Sequence, residues 1–177
     1  MKSVLAVLVE DKPGVMARVS GLFRRRGFNI ASVSVGPTQE AGVSRMTLVV
    51  DGDQRHVEQV KKQLYKLIDV IKIVDMPPGS IVERELVLAK VRADEKSRPE
   101  ILQLVDIFRA RIVDVAARTI TIELTGDDSK VEAFLALMSK FGIEETARTG
   151  KTAISRGAKA ERSPANGTEP KKGAKPA

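Results

Sequence analysis

The chain has 177 residues, with 30 Lys or Arg against 23 Asp or Glu, a net charge of +7, and 3% aromatic residues. It contains no Cys, no Trp and a single His, His56, which excludes a disulfide framework, a Cys-based metal site and a multi-histidine metal centre. Apolar runs such as Val4–Val9 are far shorter than the ~20 residues that span a bilayer. With no signal or transit pattern at the N-terminus, we expect a cytoplasmic chain without a membrane contact.

The first elements are a strand, a turn and an amphipathic helix. Ser3–Glu10 is apolar and β-branched, as in a strand. Pro13 and Gly14 then break the strand and begin a helix, which we expect Gly27 to end.

Two strands, a second helix and a last strand complete this unit. Apolar residues alternate with Ser32 and Ser34 in the next strand, so we expect its valine side to be buried. A further strand covers Met46–Val50, a helix carries apolar residues at helical spacing from Val57 to Leu67, and Val70–Val74 is again a strand. The order β-α-β-β-α-β is the ferredoxin-like arrangement.

The second half repeats the same order of elements. Ser97 and Glu100 have the spacing of a capping box at the start of its first helix. The sequence therefore predicts an α+β protein with two ferredoxin-like βαββαβ domains in tandem, over residues 1–76 and 83–157, with a linker at 77–82.

Residues 158–177 form a basic tail. Lysines and prolines are frequent there, and no apolar residue is larger than alanine. Such a segment cannot bury enough surface to offset the entropy of ordering it, so we expect disorder. A solvated tail is favoured over one that contacts nucleic acid.

Catalytic patterns are lacking. No phosphate-binding glycine loop, zinc-protease motif or nucleophile elbow occurs. Asp127-Asp128 and Glu144-Glu145 are adjacent pairs on a turn and a strand, which do not converge on a substrate. His56 is expected on the exposed face of a helix, away from any nucleophile. We therefore expect no catalysis by this chain.

The basic βαββαβ pattern also suggests an RNA-binding module, which would need aromatic residues on its central strands. The chain has five Phe, one Tyr and no Trp. Five of them fall on predicted helices or helix ends: Phe23, Tyr65, Phe108, Phe134 and Phe141. The sixth, Phe28, comes just before a strand. Because the strands lack aromatics, nucleic-acid binding is not favoured.

The turn between the first strand and the first helix, Asp11–Gly14, is the best candidate binding site. The N–H groups and the positive dipole end of a helix N-terminus suit a carboxylate, and Asp11 could receive an ammonium group. A free amino acid fits both. An ordinary helix start explains the same residues.

The N-terminal segments Leu8–Val15 (LVEDKPGV) and Gly21–Ile30 (GLFRRRGFNI) resemble an ACT domain, and more narrowly the family of acetolactate synthase (acetohydroxyacid synthase) regulatory small subunits. The resemblance continues in register to residue 157 through further segments: Ser32–Thr38, Ser44–Thr47, Leu67–Val70, Glu83–Leu86, Ile107–Ala110, Ile112–Val115, Leu124–Gly126, Arg148–Gly150 and Ser155–Gly157.

The resemblance implies a non-catalytic subunit that activates a catalytic large subunit in branched-chain amino acid biosynthesis and confers feedback inhibition, usually by valine. It implies no cofactor on this chain, with thiamine diphosphate, Mg²⁺ and FAD on the partner. It also implies a homodimer through edge-to-edge pairing of ACT domains, with the effector at that interface. The implied effector-binding residues are Asp11, Gly14, Val15, Asn29, Ile30 and Gln59.

One departure from the family concerns position 11, which is often Asn there and is Asp here. The choice among valine, leucine and isoleucine stays open, as do the domain that contacts the large subunit and the stoichiometry. The alternatives are a free-standing amino-acid-sensing ACT protein, an RNA-binding module and a small enzyme.

Overall fold

The structure, a computed structural model, describes residues 2–157. This part of the chain forms two antiparallel sheets, each with two helices packed on one face. The predicted fold class, α+β with two βαββαβ units in tandem, is confirmed. The disorder predicted for 158–177 lies outside the described residues.

The first half is a four-stranded sheet in the order β2-β3-β1-β4. Its elements are β1 (Lys2–Glu10), α1 (Val15–Arg26), β2 (Ile30–Pro37), β3 (Val43–Asp51), α2 (Gln54–Leu64) and β4 (Val70–Met76). Because β1 and β2 both pair antiparallel with β3, they run parallel to each other and end at the same side of the sheet.

The second half has the order β6-β7-β5-β8, and β9 pairs with the first residues of β5. Its elements are β5 (Ile81–Arg92), α3 (Arg98–Ile107), β6 (Arg111–Val115), β7 (Thr119–Gly126), α4 (Asp128–Ser139), β8 (Ile143–Arg148) and β9 (Thr152–Ser155). The sequence did not predict β9. The domain limits of 1–76 and 83–157 stay a prediction, and β5 itself begins at Ile81.

Alternation along the strands and helical spacing along the helices build one core in each half. In the first half, every second residue of β1 faces α1 and α2, so Leu5, Val7 and Val9 pack against Val19 and Leu64. In the second half, the equivalent side of β5 packs against α3 and α4 in the same way.

A third, smaller core joins the halves. Ala6 and Met76 of the first sheet pack with Ile81 and Ala153 on the side away from α1 and α2. The Nη2 of Arg45 donates to the carbonyl of Ala153 at 2.9 Å. The beginning of β5 and the whole of β9 therefore cover part of the face that the helices leave open.

The prediction for the faces of β2 is wrong. Val33 and Val35 are 36% and 46% exposed, although they lie opposite core residues of β3 and hence on the helix side of the sheet. Ser32 and Ser34 are half-buried, and the hydroxyl of Ser34 donates to the carbonyl of Lys151 at 2.8 Å. The reason is that β2 is an edge strand: no helix within residues 2–157 covers its valines, and the second half covers its serines.

The predicted capping box is also wrong. Ser97 has helical backbone angles and forms no side-chain cap. Instead, its N–H and its hydroxyl both donate to the carboxylate of Asp94, each at 2.7 Å. The carboxylate of Glu100 pairs with Lys140, the residue that follows α4. The ion pair of Glu100 with a residue distant in sequence therefore replaces the capping contact with Ser97 that the spacing predicts.

Candidate functional site

The turn before α1 has the backbone geometry of an anion site. Gly14 is the N-cap with φ 86° and ψ −7°, a left-handed conformation that glycine adopts without steric cost, and no side chain caps the helix. The first helical hydrogen bond runs from the N–H of Arg18 to the carbonyl of Gly14 at 3.0 Å. Within the described residues, the N–H groups of Met16 and Ala17 therefore lack an acceptor.

The loop that leads into this turn is fixed by backbone hydrogen bonds. The N–H of Asp11 donates to the carbonyl of Gly42 at 2.8 Å, while the Asp11 side chain is exposed. Lys12 forms an ion pair with Glu10 at 2.8 Å, and this hydrogen bond raises the pKa of Lys12. The first turn of α1 contains no acidic residue, so its positive dipole end is not neutralised there.

Two apolar side chains follow Gly14 at the start of α1. Val15 is buried in the first core at 4% exposure, whereas Met16 is 40% exposed. Met16 therefore offers exposed apolar surface beside the free N–H groups and the exposed backbone of Gly14. This combination suits a ligand that has a carboxylate and an aliphatic side chain.

The other predicted site residues lie elsewhere in the same chain. Asn29 and Ile30 follow the C-terminus of α1, so the 12 residues of that helix separate them from Gly14 by about 18 Å. The Nδ2 of Asn29 donates to the carboxylate of Asp51 at 3.4 Å, and Ile30 packs against the first core. Gln59 is exposed on α2. One copy of the chain therefore brings Asp11, Gly14 and Val15 together, but not the remaining three.

His56 differs from its predicted exposed position. Its ring packs edge-on against Phe28, with 4.9 Å between the ring centroids. Its Nε2 is buried and has no hydrogen-bond partner among the described residues. Because Phe28 directly precedes Asn29, this ring contact anchors the backbone at the start of the segment that leads into β2.

Sequence reasoning missed an ion pair next to the turn. The Nε and Nη2 of Arg18 donate to the two carboxylate oxygens of Asp69 at 2.5 and 2.9 Å. The Asp69 side chain is 6% exposed, and its carbonyl accepts the N–H of Glu10 at 2.9 Å. The only local signal was the position of Arg18, one helical turn after Gly14; its pairing with Asp69 needs the tertiary fold.

Two cavities lie between the halves, with volumes of about 410 and 590 Å³. Most of the charged side chains that line the smaller cavity form ion pairs. Arg148 holds the buried carboxylate of Glu85 at 2.7 and 3.0 Å, and this hydrogen bond raises the pKa of Arg148. Burial lowers the pKa of Lys151, but its hydrogen bond to Asp128 and the charge of Glu83 outweigh that effect and raise it. These ion pairs all form within the second half, so these groups are engaged with one another rather than free for a ligand.

Neither a metal site nor a membrane segment is found in residues 2–157. No group of three or more His, Cys, Asp or Glu side chains in this range could hold a metal ion. None of the helices in the same range is both long and apolar enough to cross a bilayer.

Comparison with known proteins gives matches to both halves. The model of the "AHAS small subunit-like ACT domain" matches residues 5–72, and that of the "Small subunit of acetolactate synthase" matches residues 84–157. The probable acetolactate synthase small subunit of Archaeoglobus fulgidus is 58% identical over 159 residues, which are 90% of this chain and 99% of that protein.

Two further relatives agree with this result. The acetolactate synthase small subunit of Mycolicibacterium smegmatis is 53% identical over 153 residues, covering 86% of this chain and 90% of that protein. The crystal structure of the acetolactate synthase small subunit from Thermotoga maritima is 46% identical and has a TM-score of 0.83, covering 89% of this chain and 99% of that one. The similarity therefore spans nearly the full length of these relatives.

Proposed function

The chain belongs to the family of acetolactate synthase small subunits, and from this membership we propose that it is a regulatory subunit without a catalytic site of its own. It activates a catalytic large subunit and makes that subunit sensitive to feedback inhibition by a branched-chain amino acid, with valine as the first candidate over leucine and isoleucine. Thiamine diphosphate, Mg²⁺ and FAD belong to the large subunit in this proposal. We expect neither nucleic acid nor a membrane as a partner, and a cytoplasmic location.

The turn at Gly14 is the proposed effector site, and its free helix N-terminus is the observation that carries the proposal. The N–H groups of Met16 and Ala17 have no acceptor among residues 2–157, so an α-carboxylate can accept from them. The exposed carboxylate of Asp11 suits the α-ammonium group. The exposed side chain of Met16 offers the aliphatic contact that an apolar ligand needs, and the neighbouring Val15 is assigned to the site on the family resemblance.

A homodimer completes the site. The edge strand β2 exposes Val33 and Val35 on its helix side, and an open apolar edge favours pairing with another strand. Since β1 and β2 end at the same side of the sheet, antiparallel pairing of two β2 strands brings the beginning of one to the end of the other. Asn29 and Ile30 of one copy then approach the Gly14 turn of the second copy.

Such a shared site explains how an effector can control a complex. A ligand that contacts both copies favours the quaternary state that holds them in the right geometry, and it shifts the equilibrium only by its differential affinity. Coupling energies of this kind are typically ~1–3 kcal/mol. Gln59 is assigned to the site on the family resemblance alone.

Reconstitution with the purified large subunit tests the proposal. We expect this chain alone to form no acetolactate, the mixture to form it faster than the large subunit alone, and valine to reduce that gain. Equal rates with and without this chain would refute the activating role.

Gly14→Asp tests the site within the same assay. The variant places a negative charge where the effector carboxylate binds, so we expect about 100-fold weaker valine binding, equivalent to about 2.7 kcal/mol, while activation survives. Gly14→Asn is the matched control, because Asn has the same size and also tolerates the left-handed conformation. A folded, activating Gly14→Asp protein with a normal valine inhibition curve would remove this turn from the effector site.

A further inference from the structure

Arg18 lies directly behind the Gly14 turn. Its backbone N–H donates to the carbonyl of Gly14 at 3.0 Å. Because helical side chains lean towards the N-terminus, the guanidinium group returns to the turn. Its Nη1 lies 3.7 Å from the place that a Cβ on Gly14 would occupy.

The orientation of this guanidinium group is fixed by Asp69. The two carboxylate oxygens accept from Nε and Nη2 at 2.5 and 2.9 Å, a bidentate geometry that holds the planar group in one direction. Asp69 is itself immobilised, because its side chain is 6% exposed and its carbonyl accepts the N–H of Glu10. The end of β1, the first turns of α1 and the segment before β4 are thus joined at one point.

Asp69 engages only two of the three nitrogens of the Arg18 guanidinium group. Nη1 donates to no residue in the part of the chain that the structure describes, and the Arg18 side chain is 47% exposed. The nearby cation Lys12 is engaged by Glu10 at 2.8 Å and is not held in a fixed direction towards the turn. Arg18 is therefore the cation that the fold aims at Gly14.

We infer that Arg18 receives the carboxylate of the effector through Nη1, and that Asp69 is the residue that positions it. The inference rests on the proposed effector site and adds a side-chain donor to the two backbone N–H groups. It also gives Gly14 a second role: the absence of a Cβ keeps open the space between Nη1 and the helix N-terminus, where a carboxylate oxygen would lie.

The inference makes a prediction about ligand chemistry that a merely structural ion pair does not. Hydrogen bonds between ionised partners are about twice as strong as neutral ones, so removing Arg18 should weaken binding of valine more than binding of valinamide, which lacks the carboxylate. The ratio of the two affinities is insensitive to a general loosening of the turn, since that affects both ligands.

The experiment titrates the full-length chain with valine and valinamide by calorimetry. For Arg18→Gln we expect valine affinity to fall by at least about 10-fold, equivalent to about 1.4 kcal/mol, while valinamide affinity changes much less. Because Arg18→Gln leaves the buried Asp69 carboxylate unpaired and could unfold the chain, the double variant Arg18→Gln/Asp69→Asn removes both charges and should show the same loss of selectivity. Lys12→Gln is the control for loss of a positive charge at the turn, and it should keep the wild-type ratio.

The outcomes distinguish a failure of the Arg18 inference from a failure of the proposed effector site. A folded double variant that still prefers valine over valinamide as strongly as the wild type would overturn the role of Arg18. If Gly14→Asp loses valine binding in the same series, the effector site stands and only the Arg18 inference falls. If the wild-type chain binds none of valine, leucine and isoleucine, the proposed site fails and the inference fails with it.

Discussion

The carboxylate of Asp127 shows how one residue organises a helix start. It accepts the N–H of Lys130 at 2.9 Å and the hydroxyl of Ser129 at 2.7 Å at the beginning of α4. The hydrogen bond from the N–H of Lys130, supported by that from Ser129, lowers the pKa of Asp127. The charged form is therefore favoured in the folded chain.

This lowered pKa predicts a pH dependence of stability. A carboxyl group whose pKa is lower in the folded state stabilises the fold above its unfolded pKa, about 3.9 for Asp, and the stabilisation is lost as the pH falls through the folded pKa. We expect Asp127→Ala to melt below the wild type at pH 7, and the gap in melting temperature to shrink between pH 5 and pH 3. Thermal unfolding followed by circular dichroism measures this gap.

Asp127→Asn serves as the control, because Asn caps a helix without titrating. Its advantage over Asp127→Ala should persist at low pH, where that of the wild type fades. A gap between wild type and Asp127→Ala that stays constant over the whole range would contradict the role of the ionised carboxylate.

Single residues differ in how far the sequence predicts them. Gly14 and Gly27 could be placed at the two ends of α1, because glycine at a helix boundary fits the left-handed backbone that both adopt. The pairing of Arg18 with Asp69 could not, since the two residues lie on α1 and in the segment before β4 and no local pattern joins them. Half of the predicted effector residues, Asn29, Ile30 and Gln59, lie away from the Gly14 turn of the same chain.

At the scale of elements, β2 shows what alternation does and does not predict. Alternation correctly separates the valine side of the strand from the serine side, since Val35 lies opposite a core residue of β3. It does not predict which side is covered, because coverage depends on the reach of α1 and on the segment after β8. The sequence did not predict β9 for a related reason. The strand has only four residues, and it forms because it pairs with Ile81–Arg84 of β5.

The exposed side of β2 leads to a prediction about the dimer. Val35 is 46% exposed in one chain, so Val35→Glu should leave the fold of the monomer intact. In the proposed dimer it places two like charges at a shared strand edge, which is destabilising. We expect the dimer dissociation constant to rise by at least about 10-fold, equivalent to about 1.4 kcal/mol, in a sedimentation-equilibrium series.

The matched control for this prediction is Ile107→Glu at the end of α3. Ile107 is 72% exposed in the second half, so the same substitution adds the same charge away from β2. This variant should dimerise as the wild type does. If Val35→Glu remains a dimer at the wild-type dissociation constant, β2 is not the dimer edge.

At the scale of the whole molecule, the two halves are joined where the first sheet lacks helices. The segment between β8 and β9 lies against β2: Gly150 faces Ser32, and the carbonyl of Lys151 accepts from Ser34 at 2.8 Å. The sequence predicts a linker at 77–82, and Ile81 within that range belongs to the core that the halves share. The strand that begins at Ile30, one of the proposed effector residues, is thus in direct contact with the second half.

Gly150 tests this contact by substitution. Its φ is +75°, and an added Cβ would lie 3.1 Å from the Cβ of Ser32. Gly150→Ala therefore incurs two costs: the left-handed backbone, about 1–2 kcal/mol for a residue with a Cβ, and the steric conflict with β2. Gly79→Ala is the matched control, because Gly79 has φ +86° and nothing within 4 Å of an added Cβ. Urea unfolding at equilibrium should give a larger loss of unfolding free energy for Gly150→Ala than for Gly79→Ala.

Ser32→Gly isolates the steric part of that difference, since it removes the atom that the new Cβ would meet. In the Ser32→Gly background, Gly150→Ala should lower the free energy of unfolding by less than it does in the wild type. The difference, which is the coupling energy of the two sites, should be at least about 0.5 kcal/mol, as expected for residues in contact. Gly79→Ala should cost the same in both backgrounds, because its position lacks this contact. Equal costs of Gly150→Ala with and without the Ser32 side chain would mean that the two halves do not meet at β2 in solution, and that the second half has no direct contact through which to sense the effector-binding edge.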